Sequence, residues 1–315
     1  MFKKLLCISI IVLLLCAVPT AARADEPMES TLPAHYLTPC PEPGLVTMHQ
    51  YKKREQMNVW TPYDYSGDRL YEIVLLLHGG GLSWWNFREQ AELLGHRYRV
   101  VLPILDGHAG SDRPFTTIED NAAEIVSFID ERLGSSVLLL GGLSLGAQIA
   151  LEILSERSDI SSYALIESAA VIPSGVTRAL IAPTFGTSYG LVKNKRFATM
   201  QFRSLHIRPA LFEDYYRDTC RIEKADMIAF LRANATYRLK DAIGSVRAET
   251  HVFYGEKETR RIRRSAERIR DALPSCQLHP LSGLFHGEFS LNHADAYADA
   301  IEKIVSGASD HRQGE

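Results

Sequence analysis

Short apolar runs recur along the chain at residues 71–77, 98–102, 137–140, 163–166, 250–254 and 276–281. Each is near-continuous and only four to seven residues long, the pattern of a strand buried on both faces. Stretches with apolar positions at helical spacing separate them, at 86–94, 117–133, 147–154, 260–273 and 294–305. In 117–133, for example, Ile118, Ala122, Ile125, Val126 and Ile129 fall on one face. Strands alternating with helices predict an α/β fold with a mostly parallel central sheet and right-handed crossovers. Two weaker runs, 46–51 and 57–61, read as a strand meander ahead of the alternation.

The alternation breaks once. From 174 to 246 no strand pattern appears, only amphipathic helical pieces such as 210–221 and 224–234. This predicts a helical cap inserted after the sixth strand. The α/β core then comprises 45–173 and 247–307, with a C-terminal tail at 308–315. Between Ser168 and Phe212 six basic residues occur and no acidic one. A solvated surface explains such a run, and so does attraction of an anionic substrate or an anionic membrane surface.

The first 24 residues read as a secretory signal peptide: Lys3 and Lys4, an apolar run over 5–18, then a small-x-small site at Ala22-Arg23-Ala24. The apolar run is too short to span a bilayer comfortably. Residues 25–44 carry five prolines and form an N-terminal arm. Cleavage after Ala24 would leave 32 basic against 38 acidic residues, a balance that argues against general nucleic-acid binding. Cys40, Cys220 and Cys276 remain, an odd number without metal-type spacing, so one disulfide plus a free thiol is open and its pairing cannot be read. No metal or organic cofactor is implied, and the oligomeric state is not legible.

The chemistry concentrates where the 137–140 run meets Gly142-x-Ser144-x-Gly146 and a helix follows. Strand, sharp turn with a central serine, helix is the context of a nucleophile elbow. Upstream, the strand at 71–77 ends in His78-Gly79-Gly80-Gly81, whose amides are unobstructed by side chains. Acyl transfer needs such donors for a developing oxyanion. Asp106-Gly-His108-Ala-Gly-Ser-Asp112 is a further glycine-rich loop, in which His108 reads as a stabiliser of the loop. Trp84 and Trp85 either wall an acyl pocket or anchor the next helix. A serine hydroxyl needs a base, and His279, His286 and His293 lie downstream. The base in turn needs a carboxylate, for which Glu258, Glu256 and Glu167 stand near strand ends.

These parts, in this order, resemble the α/β-hydrolase superfamily over residues 46–305, in its branch with a helical cap between the sixth and seventh strands. The resemblance implies an α/β-hydrolase fold and a serine hydrolase acting on a small or lipid-like carboxylic ester. Ser144 takes the nucleophile's place. His286, in the loop after the last strand, takes the base's. Glu258, three residues after Gly255, takes the acid's, where Asp is the common residue. The N–H groups of Leu145 and Gly80, with Gly81 as the alternative, take the oxyanion hole's. Family members with epoxide hydrolase or dehalogenase activity carry Asp at the elbow, where this chain has Ser144. Amidase, thioesterase, lactonase or acyltransferase chemistry on the same machinery is the alternative, and from another class, a non-catalytic binding protein on this fold.

Overall fold

The computed structural model of the protein describes Met57–Trp60 and residues 72–307. The expected signal peptide, N-terminal arm, strand at 46–51 and C-terminal tail lie outside the described residues, as does Cys40. In the description that follows the first strand is therefore Met57–Trp60, one later than in the sequence count.

Seven strands form one sheet in the order β1-β3-β2-β4-β5-β6-β7. They are β1 Met57–Trp60, β2 Ile73–Leu77, β3 Arg99–Pro103, β4 Val137–Leu143, β5 Ser161–Glu167, β6 Glu249–Gly255 and β7 Cys276–Leu281. Only β1 runs antiparallel, against β3, while β2 to β7 are parallel. Between them stand α1 Arg88–Leu94, α2 Ile118–Arg132, α3 Leu145–Glu156 and α8 Arg260–Ala272, and α10 Ala294–Val305 follows the last strand. The expected strands and helices are thus present with ends shifted by a few residues. The Thr117 hydroxyl fixes the start of α2 by accepting the Asp120 N–H at 2.9 Å.

Alternation within the strands divides the core in two. Leu75 and Leu77 of β2 face α2 and α3, where Ile125, Ile129 and Ile149 pack. Val74 and Leu76 face the other side, with Phe87, Tyr98, Tyr297 and Ile301. All of these are buried. Removing one such Leu or Ile side chain typically costs about 2–5 kcal/mol, so each face contributes stability well beyond any single surface pair.

Four helices fill the chain between β5 and β6: α4 Gly175–Val192, α5 Lys195–Ser204, α6 Phe212–Arg221 and α7 Lys224–Thr236. The helical piece expected from Ala210 begins instead as a 3₁₀ turn over Pro209–Leu211, because the proline cannot continue a helix from the preceding turn. The segment is tied down at named points. Trp85 Nε1–H donates to Asp218 of α6 at 2.7 Å, and Asp226 of α7 accepts the Phe115 N–H at 2.8 Å. One correction concerns residues 282–289, which read as a loop throughout. Helix α9, Glu288–Asn292, starts inside that stretch. Gly287 at φ 73° turns the chain, and the Glu288 carboxylate accepts the Phe285 N–H at 2.6 Å. A helix this short leaves no periodicity to read.

Candidate active site

Strand β4 stops at Leu143 and α3 starts at Leu145, so Ser144 carries the whole change of direction. Its backbone sits at φ 53°, ψ −106°, a conformation that costs about 1–3 kcal/mol for a non-glycine residue. Both flanking glycines are forced. A Cβ on Gly142 would meet the Gly146 carbonyl carbon at 2.5 Å, and one on Gly146 would meet the Leu77 oxygen at 2.1 Å. The turn is held from β5, where the Glu167 oxygen accepts the Ser144 N–H at 2.8 Å.

His286 and Glu258 reach this serine from beyond the ends of the last two strands, β7 and β6. His286 Nε2 is 3.0 Å from Ser144 Oγ, and its Nδ1 is 2.7 Å from Glu258 Oε2. With the ring proton on Nδ1, the hydroxyl donates to Nε2 and Nδ1–H donates to the carboxylate. The Glu258 side chain is sealed from solvent. Its other oxygen, Oε1, accepts the Gly255 N–H at 2.9 Å and the Ser168 hydroxyl at 2.6 Å. Glu258 therefore enters with both oxygens hydrogen-bonded, which offsets part of the cost of burying it. Burial, the largest single influence on His286, disfavours its charged form. The Glu258 charge and hydrogen bond, joined by Glu167, more than reverse this, and the His286 pKa lies above 6.5.

The rival assignments sit elsewhere. His279, on β7, meets His251 Nδ1 at 2.9 Å and stacks on Phe253. His293 precedes α10. Glu256 is exposed. Glu167 is near the site, yet its Oε1 accepts the Ser290 N–H at 3.2 Å rather than a histidine proton. Burial pushes its pKa up to about 7, against the pull of the Ser290 hydrogen bonds.

The glycine loop is sorted by its own amides. The Gly79 N–H donates to Asn86 Oδ1 at 3.2 Å, and the Gly81 N–H donates to His108 Nε2 at 3.0 Å. The Gly80 and Leu145 N–H groups have no partner among the described residues. A Cβ on Gly80 would lie 3.5 Å from Leu145 Cβ, so the two stand side by side. Of the two glycines weighed for this place, Gly81 is occupied and Gly80 is open. His108 holds the loop, as the sequence suggests. Burial takes its pKa down to about 4, which keeps Nε2 free to accept. Its ring also stacks on Phe230 of α7 at 4.5 Å.

A pocket opens over Ser144 and His286, walled largely by apolar side chains that include Leu82, Leu143, Phe185, Met227 and Phe230. Phe185, Met227 and Phe230 come from α4 and α7. Trp84 and Trp85 are not in its walls. Trp85 is buried in the core, and Trp84 lies under the Arg88 guanidinium at 5.0 Å. They anchor the helix that follows the loop. Cys220 and Cys276 are free thiols, and no group of three metal-ligating side chains occurs among the described residues.

Ser168 and Asn86 escaped the sequence reading. Ser168 sits at φ 57°, beyond the end of β5, and nothing in its neighbours marks that turn. Asn86 acts through a backbone amide seven residues away, which has no sequence signature.

The alpha/beta hydrolase family profile matches residues 74–300, and the chain belongs to that family. It is a hydrolase of this fold. Among characterised relatives, epoxide hydrolase 3 of Xenopus tropicalis is 29% identical over 125 residues, 38% of this chain and 34% of that protein. The chain thus spans about a third of that relative's length. Two solved structures share the fold. A thermophilic esterase from Thermogutta terrifontis superposes with a TM-score of 0.62 at 17% identity, covering 80% of this chain and 94% of that one. The enol-lactonase from Burkholderia xenovorans gives 0.66 at 16%, covering 80% and 97%.

Proposed function

We propose that the protein is a serine hydrolase that cleaves a carboxylic ester through an acyl-enzyme. The observation that carries this reading is the unbroken line from Ser144 Oγ through His286 to Glu258, beside the unpartnered Gly80 and Leu145 amides. Ser144 attacks the ester carbonyl while His286 Nε2 takes its proton. Glu258 holds the ring in the Nδ1–H tautomer and balances the imidazolium. The carbonyl oxygen becomes an oxyanion between Gly80 and Leu145. His286 then protonates the leaving alcohol, and the carbonyl re-forms as an ester on Ser144. Water, deprotonated by His286, attacks that ester and releases the acid.

A serine at the elbow favours this chemistry over epoxide opening, for which the related enzymes use an Asp nucleophile. The helices α4 to α7 act in this reading as the cap, since all four lend side chains to the pocket walls. The basic, apolar and small-residue pattern of residues 1–24 supports export, and with it a periplasmic or extracellular site of action.

The test is a paired assay of the chain and its Ser144→Ala variant against short and long p-nitrophenyl esters, with fluorophosphonate labelling alongside. Turnover and labelling present in the parent and absent from the variant support the reading. Labelling without ester turnover moves it to amide, thioester or transfer chemistry. Neither in the parent supports a non-catalytic binding protein.

A further inference from the structure

Arg261 lines the same pocket as Ser144 and His286. It is held there by two backbone carbonyls, Nε donating to Ile172 at 2.7 Å and Nη2 to Ala235 at 3.2 Å. Neither partner carries charge. Arg88, Arg208 and Arg217, none of which lines the pocket, each pair with a carboxylate: Arg88 with Asp214 at 2.7 Å, Arg208 with Glu89, Arg217 with Asp218 at 2.8 Å. Arg261 has no carboxylate partner among the described residues, and its Nη1 is left without a hydrogen bond. Glu258, three residues before it in the chain, is committed to His286, Gly255 and Ser168.

A half-buried guanidinium without a counter-ion is costly, and carbonyl dipoles relieve only part of that cost. Burial alone shifts its pKa, downward, with no acid compensating, and the charge is felt at His286. No group among the described residues completes it.

We infer that Arg261 is a specificity-determining residue that receives a carboxylate of the substrate, making this an esterase for esters that carry a second, anionic carboxylate group. The inference rests on the ester-hydrolase reading and narrows it. Arg261 lines a pocket whose other walls are mostly apolar, so a carboxylate oxygen bound at Nη1 would gain a charge-assisted bond with little competition from water. The absence of acidic residues between Ser168 and Phe212, the stretch that includes α4 and α5, leaves approach of an anion unopposed from that side.

Two matched pairs test this, because the acyl and alcohol sides must both be sampled. On the acyl side the pair is mono-p-nitrophenyl adipate against p-nitrophenyl hexanoate. On the alcohol side it is 4-acetoxybenzoate against its methyl ester. In one pair the carboxylate member is expected to show at least about tenfold higher kcat/KM, mainly through KM. That ratio should collapse toward one in Arg261→Gln and survive in Arg261→Lys. A purely structural clasp would lower both members alike and leave the ratio standing, which overturns the inference. So does the absence of any preference in the parent, a measurement that needs no variant to fold. If no ester is turned over, the ester-hydrolase reading fails separately. Thermal stabilisation of the parent by adipate but not by dimethyl adipate then still supports the anion site, and equal or no stabilisation overturns it.

Discussion

The Ser168 hydroxyl donates to Glu258 Oε1 at 2.6 Å, while the opposite oxygen of the same carboxylate accepts the His286 Nδ1–H. Ser168 touches no reacting atom in the proposed mechanism. It fixes the rotation of the acid that fixes the base. Hydrogen bonds to charged groups are worth about 1.5–3 kcal/mol, so Ser168→Ala should lower kcat by roughly ten- to a hundredfold with KM little changed. Steady-state kinetics on a p-nitrophenyl ester measures this, and an unchanged kcat would remove Ser168 from the positioning network.

In the proposed mechanism activity requires neutral His286, whose pKa lies above 6.5. The acid limb of kcat/KM should therefore sit above pH 6.5 and fall as the pH drops through it. Glu258→Gln removes the charge that raises the pKa, so the limb should move to lower pH while kcat falls by about a hundredfold or more. The same shift has a stability side. The folded-state pKa is raised, so this group's contribution is complete below 6.5 and is lost as the pH rises through the folded value. A pH–rate profile of both proteins decides the point.

His108 keeps the Gly81 amide occupied and the glycine loop in place. His108→Ala should leave the loop without that anchor, misplace the Gly80 donor, and cost about ten- to a hundredfold in kcat. The rate of fluorophosphonate labelling, which also passes through an oxyanion, should fall in parallel. Because burial lowers the His108 pKa to about 4, its stability contribution is present above 6.5 and lost as the pH falls through 4.

Glu167 is buried, with Oε2 unpartnered, and its pKa is pushed from 4.5 up to about 7. A carboxyl raised in this way gives its full contribution below 4.5 and loses it as the pH rises through 7. In urea unfolding this group should thus contribute a decline of up to about 3 kcal/mol across that window, opposite in sign to the His108 contribution. Glu167→Gln keeps an acceptor for the Ser290 amide and should flatten the decline. An equal slope in both proteins would place the titration elsewhere.

Much of the fold was legible because parallel strands buried on both faces write themselves as continuous apolar runs, as 137–140 and 163–166 do. The elbow was legible because its geometry excludes side chains at Gly142 and Gly146. What stayed hidden acts through space. The choice between Gly80 and Gly81 depends on where His108 lands, 27 residues away. The place of Trp85 depends on Asp218, 133 residues on. Ser168 and Arg261 are ordinary polar residues until the loops after β5 and β6 meet.

The Ser174 N–H donates to the Ala235 oxygen at 2.8 Å, and Arg261 binds that same oxygen. The chain thus leaves the sheet for α4 and returns from α7 at one clasped point, with its two strands already side by side through β5 and β6. Whatever hangs from such a clasp is a pendant. A change in its length leaves β5 and β6 paired, and with them the strand ends from which Ser144 is braced and Glu258 reaches His286.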